Sequence, residues 1–152
     1  MQTKHLLFCA FVLMTSVTLA QDKFPKNTFS VNGFRNPSIG LEYQRKQISV
    51  HAGYYPTNFE SDVTTEFMKA GLTYWFLPVG KKEIPSSFYG GVSYLRGTTR
   101  DYRDTNAIGL ETGFRWYAWK GLNLRIGVIA LAAEGKSLKI NPTPSISYSI
   151  KF

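Results

Sequence analysis

Cysteine is almost missing from this chain of 152 residues: the only one, Cys9, lies inside an apolar stretch near the N-terminus. The rest of the chain therefore has no disulfide, no thiol nucleophile and no cysteine metal site. Histidine is nearly as scarce, with only His5 and His51. Acids are few: 10 Asp and Glu stand against 18 Lys and Arg, a formal charge of +8. No apolar run reaches the ~18 residues that a spanning helix needs, and helical periodicity is absent after Ala20. These absences exclude a helical membrane protein, a disulfide scaffold and an α/β enzyme built on a phosphate-cradling glycine loop.

The N-terminus has its own character. Lys4 and His5 precede the apolar run Leu6 to Met14, and small residues lead to Ala20. That is the layout of a cleavable secretory signal peptide. Cleavage after Ala20 is expected to leave one domain, residues 21–152, and to lower the formal charge from +8 by the one charge of Lys4. A lipoprotein would carry cysteine at the cleavage point, and Cys9 is not there. In an exported chain, basic charge points to anionic lipid or lipopolysaccharide rather than to nucleic acid.

Alternation with a period of two runs through the remaining residues, so the expected class is all-β. Ile146, Tyr148, Ile150 and Phe152 alternate with Ser145, Ser147, Ser149 and Lys151. Met68, Ala70, Leu72, Tyr74 and Phe76 alternate with Lys69, Gly71, Thr73 and Trp75. Eight segments emerge, at 28–34, 38–46, 48–56, 65–77, 87–97, 106–118, 122–133 and 144–152. An even count allows an antiparallel sheet to close with both termini on one side.

The connections sort by length. Arg45 to Gln47, Pro78 to Ser86 and Trp119 to Gly121 form one set; Arg35 to Pro37, Thr57 to Thr64, Thr98 to Thr105 and Glu134 to Thr143 form the other. Membrane barrels put tight turns on the periplasmic side and longer polar loops outside; three of the four external connections fit that rule and the first does not. Aromatic residues sort by strand end as well. Trp75, Phe76, Phe88, Trp116, Tyr117, Trp119 and Phe152 fall at the expected periplasmic end, and Tyr54, Tyr55, Phe59, Phe67 and Tyr94 near the opposite rim. Two such girdles match the two headgroup levels of a bilayer.

The last residues, Tyr148-Ser149-Ile150-Lys151-Phe152, resemble the insertion signal of outer-membrane β-barrels. The whole pattern after residue 20 resembles the small OmpA/OmpX-like family. That resemblance implies a closed eight-stranded transmembrane barrel in a Gram-negative outer membrane. It implies no cofactor, and it implies recognition of Tyr148, Ile150 and Phe152 by the barrel-assembly machinery. Some small barrels of this kind are lipid A deacylases or palmitoyltransferases that use a histidine near a serine at the rim; here His51 sits in Val50-His51-Ala52, with no His-x-Ser pair.

The polar face carries Glu42, His51, Lys69, Glu111, Arg115 and Arg125 among in-register glycines. Eight strands leave a lumen just wide enough for side chains, so long charged groups need small neighbours. A lone buried charge is costly, and Glu42 and Glu111 are expected to pair with members of Lys69, Arg115 and Arg125. A carboxylate pair for glycoside chemistry would need an open cleft, which nothing in the sequence supplies. The external loops present Arg100 and Arg103, and Arg96 follows the outward-facing Tyr94 near the upper rim; these cations can either contact lipopolysaccharide phosphates or simply solvate the surface. The expectation is a monomeric, non-enzymatic barrel with a plugged lumen and a structural or surface-interaction role. The alternatives are a narrow porin-like channel and a soluble, exported lipocalin-like binder with the barrel's faces reversed.

Overall fold

A computed structural model describes residues 23–34, 38–60 and 63–152. The expected signal peptide, residues 1–20, and the connection at 35–37 lie outside the described residues. The wall starts with β1 (Asn27–Gly33), β2 (Ile39–Arg45), β3 (Ile48–Glu60) and β4 (Val63–Val79). It continues with β5 (Ser86–Gly97), β6 (Asn106–Trp119) and β7 (Leu122–Ala133), and ends with β8 (Lys139–Pro142) and β9 (Ser145–Lys151).

Every pairing is antiparallel between neighbours in the chain, and β9 returns to pair with β1. The result is a closed eight-stranded barrel, because β8 and β9 together fill the eighth position beside β7. Pro144, which has no N–H, separates β8 from β9. Thr143 N still donates to Gly127 O at 2.8 Å, and the register against β7 is the same on both sides of the break. Partners can be followed from Ser30 through Glu42, His51, Gly71, Ser93, Gly109 and Leu131 to Lys139, then back by the β9 register. That circuit is displaced by about ten residues, a stagger that goes with strands tilted roughly 35–45° from the axis.

The strands outrun the alternation in several places. Residues 57–60 and 63–64, expected in a loop, extend β3 and β4, and the expected loop from Glu134 to Thr143 contains β8. At the other end β4 runs on to Val79 past a register shift between Phe76 and Val79. Polar residues such as Thr57, Thr64 and Thr65 resemble loop composition, yet here they continue the ladder above the apolar belt.

The wall's two faces are chemically opposite. Val31, Leu41, Val50, Leu72, Val92, Leu110, Ile126 and Ile150 all point outward and are about half exposed or more, whereas Ser30, Glu42, Ser49, Lys69, Glu111, Arg115 and Arg125 are buried within. On β7 the outward positions from Leu122 to Ala132 carry only apolar side chains. At ~3.3 Å per residue and a tilt near 40°, that run is roughly 25 Å tall along the axis.

Tight turns close one end. Lys120 (φ 37°) and Gly121 (φ 91°) both occupy left-handed backbone, the conformation of a two-residue hairpin turn that keeps the strands twisted correctly. A Cβ at Gly121 would overlap the Ser149 carbonyl, so glycine is needed there for space as well as for φ. Inside the wall, Gly113 faces Gly127 across β6 and β7. The Tyr89 hydroxyl lies over both: it would be 2.8 Å from a Cβ at Gly113 and 2.5 Å from one at Gly127.

Candidate functional site

The lumen is filled in three layers. At the short-turn end, the Trp75 and Tyr89 rings meet at a tilt, with centroids 5.3 Å apart, and pack with Phe24. The Arg115 guanidinium lies 3.5 Å from the centroid of Trp75 and 4.8 Å from that of Tyr117, and Arg125 approaches Trp75 at 5.0 Å. Trp75 Nε1 donates to Ser49 Oγ at 2.9 Å, and Arg115 Nη1 donates to Gln44 Oε1 at 2.9 Å. Beside them Tyr117 Oη and Asn123 Nδ2 both donate to Ser149 Oγ, which also bonds Ser30 Oγ at 2.7 Å.

Ion pairs occupy the middle layer. Lys69 Nζ donates to both oxygens of Glu111 at 2.9 Å, with side chains 0% and 1% exposed. Arg125 Nη2 sits 2.7 Å from Glu42 Oε2, a close buried ion pair. Asn32 Nδ2 also donates to Glu42 Oε2, at 3.5 Å. Arg115 has no carboxylate of its own among the described residues, and its charge rests on two aromatic rings and an amide oxygen.

His51 is drawn into the Lys69 and Glu111 pair through Ser93. Its Nε2 lies 3.2 Å from Ser93 Oγ and 3.8 Å from Glu111 Oε1, Ser93 Oγ donates to Glu111 Oε1 at 3.2 Å, and Thr73 Oγ1 lies 3.4 Å from Nδ1. A neutral imidazole with its proton on Nε2 satisfies every one of these contacts. The sequence separates His51 from Ser93 by 42 residues, so no local motif announces this contact. The trio includes a histidine, a serine and a carboxylate, but its order is wrong for nucleophile activation. The carboxylate accepts from the serine, and Nδ1 faces a threonine. All three side chains lie within the packed lumen, where an acyl carbonyl has no approach to Ser93.

At the long-loop end the lumen turns apolar. Tyr55, Phe67, Leu95, Ala107, Ile129, Leu131 and Ala133 form one buried cluster, closed over by Tyr102 from the β5–β6 loop. Phe67 and Tyr102 meet edge to face at 5.5 Å, and Phe59 packs against both. This cap corrects the expected aromatic girdles. Tyr55, Phe67, Trp75 and Tyr117 point into the barrel, and Phe59 packs on the cap. Parity along the strand decides the matter: Tyr55 shares the face of His51, and Phe67 and Trp75 share that of Lys69.

The outward aromatics do gather at the short-turn end. Tyr74, Phe76, Phe88 and Phe114 form a continuous ladder with centroids 4.9–6.4 Å apart, Trp116 and Trp119 are exposed, and Phe152 stacks on Tyr43 at 6.4 Å. Tyr148 and Ile150 face outward on β9, and Phe152 N donates to Asn27 O at 3.2 Å. Tyr54 and Tyr94 flank the other rim.

Arg96 stands near the end of β5, and Arg100 and Arg103 follow in the β5–β6 loop, which contains a short 3-10 turn (Arg100–Tyr102). Arg96 bonds Asp104 at 3.0 Å and Asn106 at 2.9 Å, whereas Arg100 and Arg103 are exposed. Charge is unevenly divided between the ends. The long-loop end mixes both signs, with Asp101, Asp104 and Glu134 among its cations. The short-turn end carries Lys23, Lys26, Arg45, Lys46, Lys81, Lys82, Lys120 and Lys151, with Glu83 as the one acid among the described residues there.

Fold and lumen together define a class: a closed eight-stranded antiparallel barrel, apolar outside, with a packed polar interior. No protein-family model, curated protein or solved structure matches the chain.

Proposed function

We propose that this protein is an integral outer-membrane β-barrel of the OmpA/OmpX-like kind, monomeric and non-enzymatic, with a plugged lumen and a structural or surface-interaction role. The observation that carries this reading is the belt of outward apolar side chains, which on β7 is free of charge over roughly 25 Å. Water would oppose that arrangement and hydrocarbon favours it, since an exposed apolar surface of this extent far exceeds what a soluble monomer leaves uncovered. A soluble lipocalin-like binder needs the reverse polarity. Narrow-channel conduction is opposed by the aromatic layers at both ends of the lumen. Among the described residues no helix is long and apolar enough to cross a membrane, so strands are the crossing elements in this reading.

Heat-modifiable migration in detergent gels tests the proposal directly. An unboiled sample of the outer-membrane fraction should run faster than a boiled one, and deletion of Phe152, the expected assembly signal together with Tyr148 and Ile150, should deplete the fast band. Recovery in the soluble periplasm with a single mobility would refute the membrane reading and leave a soluble binder.

The end of β5 with Arg96 and the following loop with Arg100 and Arg103 support a further part of the proposal, contact with lipopolysaccharide phosphates. Tyr102 anchors the loop in the upper cap, which holds Arg100 and Arg103 above the apolar belt. Replacing all three arginines by glutamine should reduce copurified lipopolysaccharide severalfold, measured by phosphate per protein. An unchanged ratio would reduce these residues to surface solvation.

A further inference from the structure

The β4–β5 loop folds beneath the short-turn mouth and reaches the opposite wall. Lys82 Nζ donates to Tyr117 O at 2.5 Å and to Ala118 O at 2.9 Å, and Glu83 pairs with Lys151 at the end of β9. Between this loop, the Lys120–Gly121 turn and the end of β9 lies a cleft of about 530 Å³. Its lining includes two exposed rings: Trp119 is 68% exposed and Tyr148 52%. Lys120 Nζ is held 5.0 Å over the Trp119 ring, facing the same space.

Three lysines, at 82, 120 and 151, thus line the cleft against one carboxylate, Glu83. Carbonyl oxygens and a π-face orient the first two without cancelling their charge. The surplus is a property of this whole end, where Glu83 is the one acid among the described residues. The cleft also brings the exposed rings of Trp119 and Tyr148 beside the polar turns, and amphipathic rings of this kind favour the headgroup level.

We propose that this cleft is a docking site for the phosphate headgroup of an anionic phospholipid. Lys82, Lys120 and Lys151 meet the phosphate, and Trp119 and Tyr148 flank the upper acyl chain. The inference rests on the membrane-barrel reading and goes beyond it, since it gives the periplasmic rim a lipid preference that a merely apolar belt would lack. A lysine near a lipid surface contributes about 1 kcal/mol toward an anionic headgroup, so the two surplus charges should give at least about a fivefold preference over a zwitterionic lipid after screening.

The test uses the protein folded into mixed vesicles of phosphatidylglycerol and phosphatidylcholine, with bromine on the acyl chains of one lipid at a time. A Trp116→Phe background leaves Trp119 as the outward tryptophan of the three in the chain. Brominated phosphatidylglycerol should quench its emission with about a fivefold higher association constant than brominated phosphatidylcholine at equal mole fraction. Lys82→Gln/Lys120→Gln/Lys151→Gln, checked for unchanged heat-modifiable migration, should bring the ratio close to one. Equal quenching by both lipids would overturn the site and leave the barrel reading standing. A preference that survives in the triple variant would move lipid selection away from this cleft and overturn the assignment. Absence of quenching by either lipid would overturn the membrane reading itself, and the site with it.

Discussion

Lys69→Met is expected to destabilise the folded barrel by about 3–5 kcal/mol, read from urea titrations in detergent or vesicles at neutral pH. Methionine keeps most of the lysine stem but removes the charge that meets both oxygens of Glu111, and the carboxylate is left among Ser93, His51 and the Gly91 backbone. Gly91 is close enough that a Cβ there would lie 3.2 Å from Glu111 Cγ, so the carboxylate has little room to swing toward another partner. Arg125 is already engaged with Glu42, and Arg115 with rings at the next layer. The double variant Lys69→Met/Glu111→Gln should recover most of the loss, since the amide still accepts from Ser93 and nothing charged remains unpaired. A single-variant loss below about 1 kcal/mol would mean that water reaches the pair freely, and the packed-lumen description would fail.

The barrel was legible because strand periodicity is short-range: a residue's face follows from parity, and parity survives errors at strand ends. Glu42, His51, Lys69, Glu111, Arg115 and Arg125 all fall on the inward face for that reason. Partner choice was not legible. Lys69 meets Glu111 and not Glu42 because four strand registers compound, and each depends on turn geometry that composition describes poorly. The meeting of His51 with Ser93 depends on two of the same registers.

The aromatic residues show where two sequence signals compete. Position along the strand assigns Tyr55, Phe67, Trp75 and Tyr117 to girdles, whereas parity assigns them to the lumen, and parity wins. A ring turned outward one residue early would place every following polar group in the apolar belt. The two lumen caps follow from this. Each uses aromatic bulk where the barrel would otherwise be open, and the ion pairs between them are removed from bulk water at both mouths. The basic short-turn end escaped notice for a different reason: its cations are scattered over five separate stretches of sequence, and only closure of the barrel gathers them.

Trp75→Ala should be the other large perturbation, again about 3–5 kcal/mol. Trp75 is 0% exposed and is the largest of the fully buried side chains. Its ring supports Arg115 at 3.5 Å, Arg125 at 5.0 Å and Tyr89 at 5.3 Å, so truncation removes both packing volume and the π-face on which an unpaired guanidinium depends. Trp75→Phe separates these contributions. Phenylalanine keeps a ring beneath Arg115 but loses the Nε1 bond to Ser49, and its cost should be limited to about 1–2 kcal/mol. Adding Arg115→Met to Trp75→Ala should be less damaging than the sum of the two single changes, because the cation that needed the ring is gone. Strict additivity would show that Trp75 acts by filling space alone, and that Arg115 draws its stability from Gln44 and Tyr117.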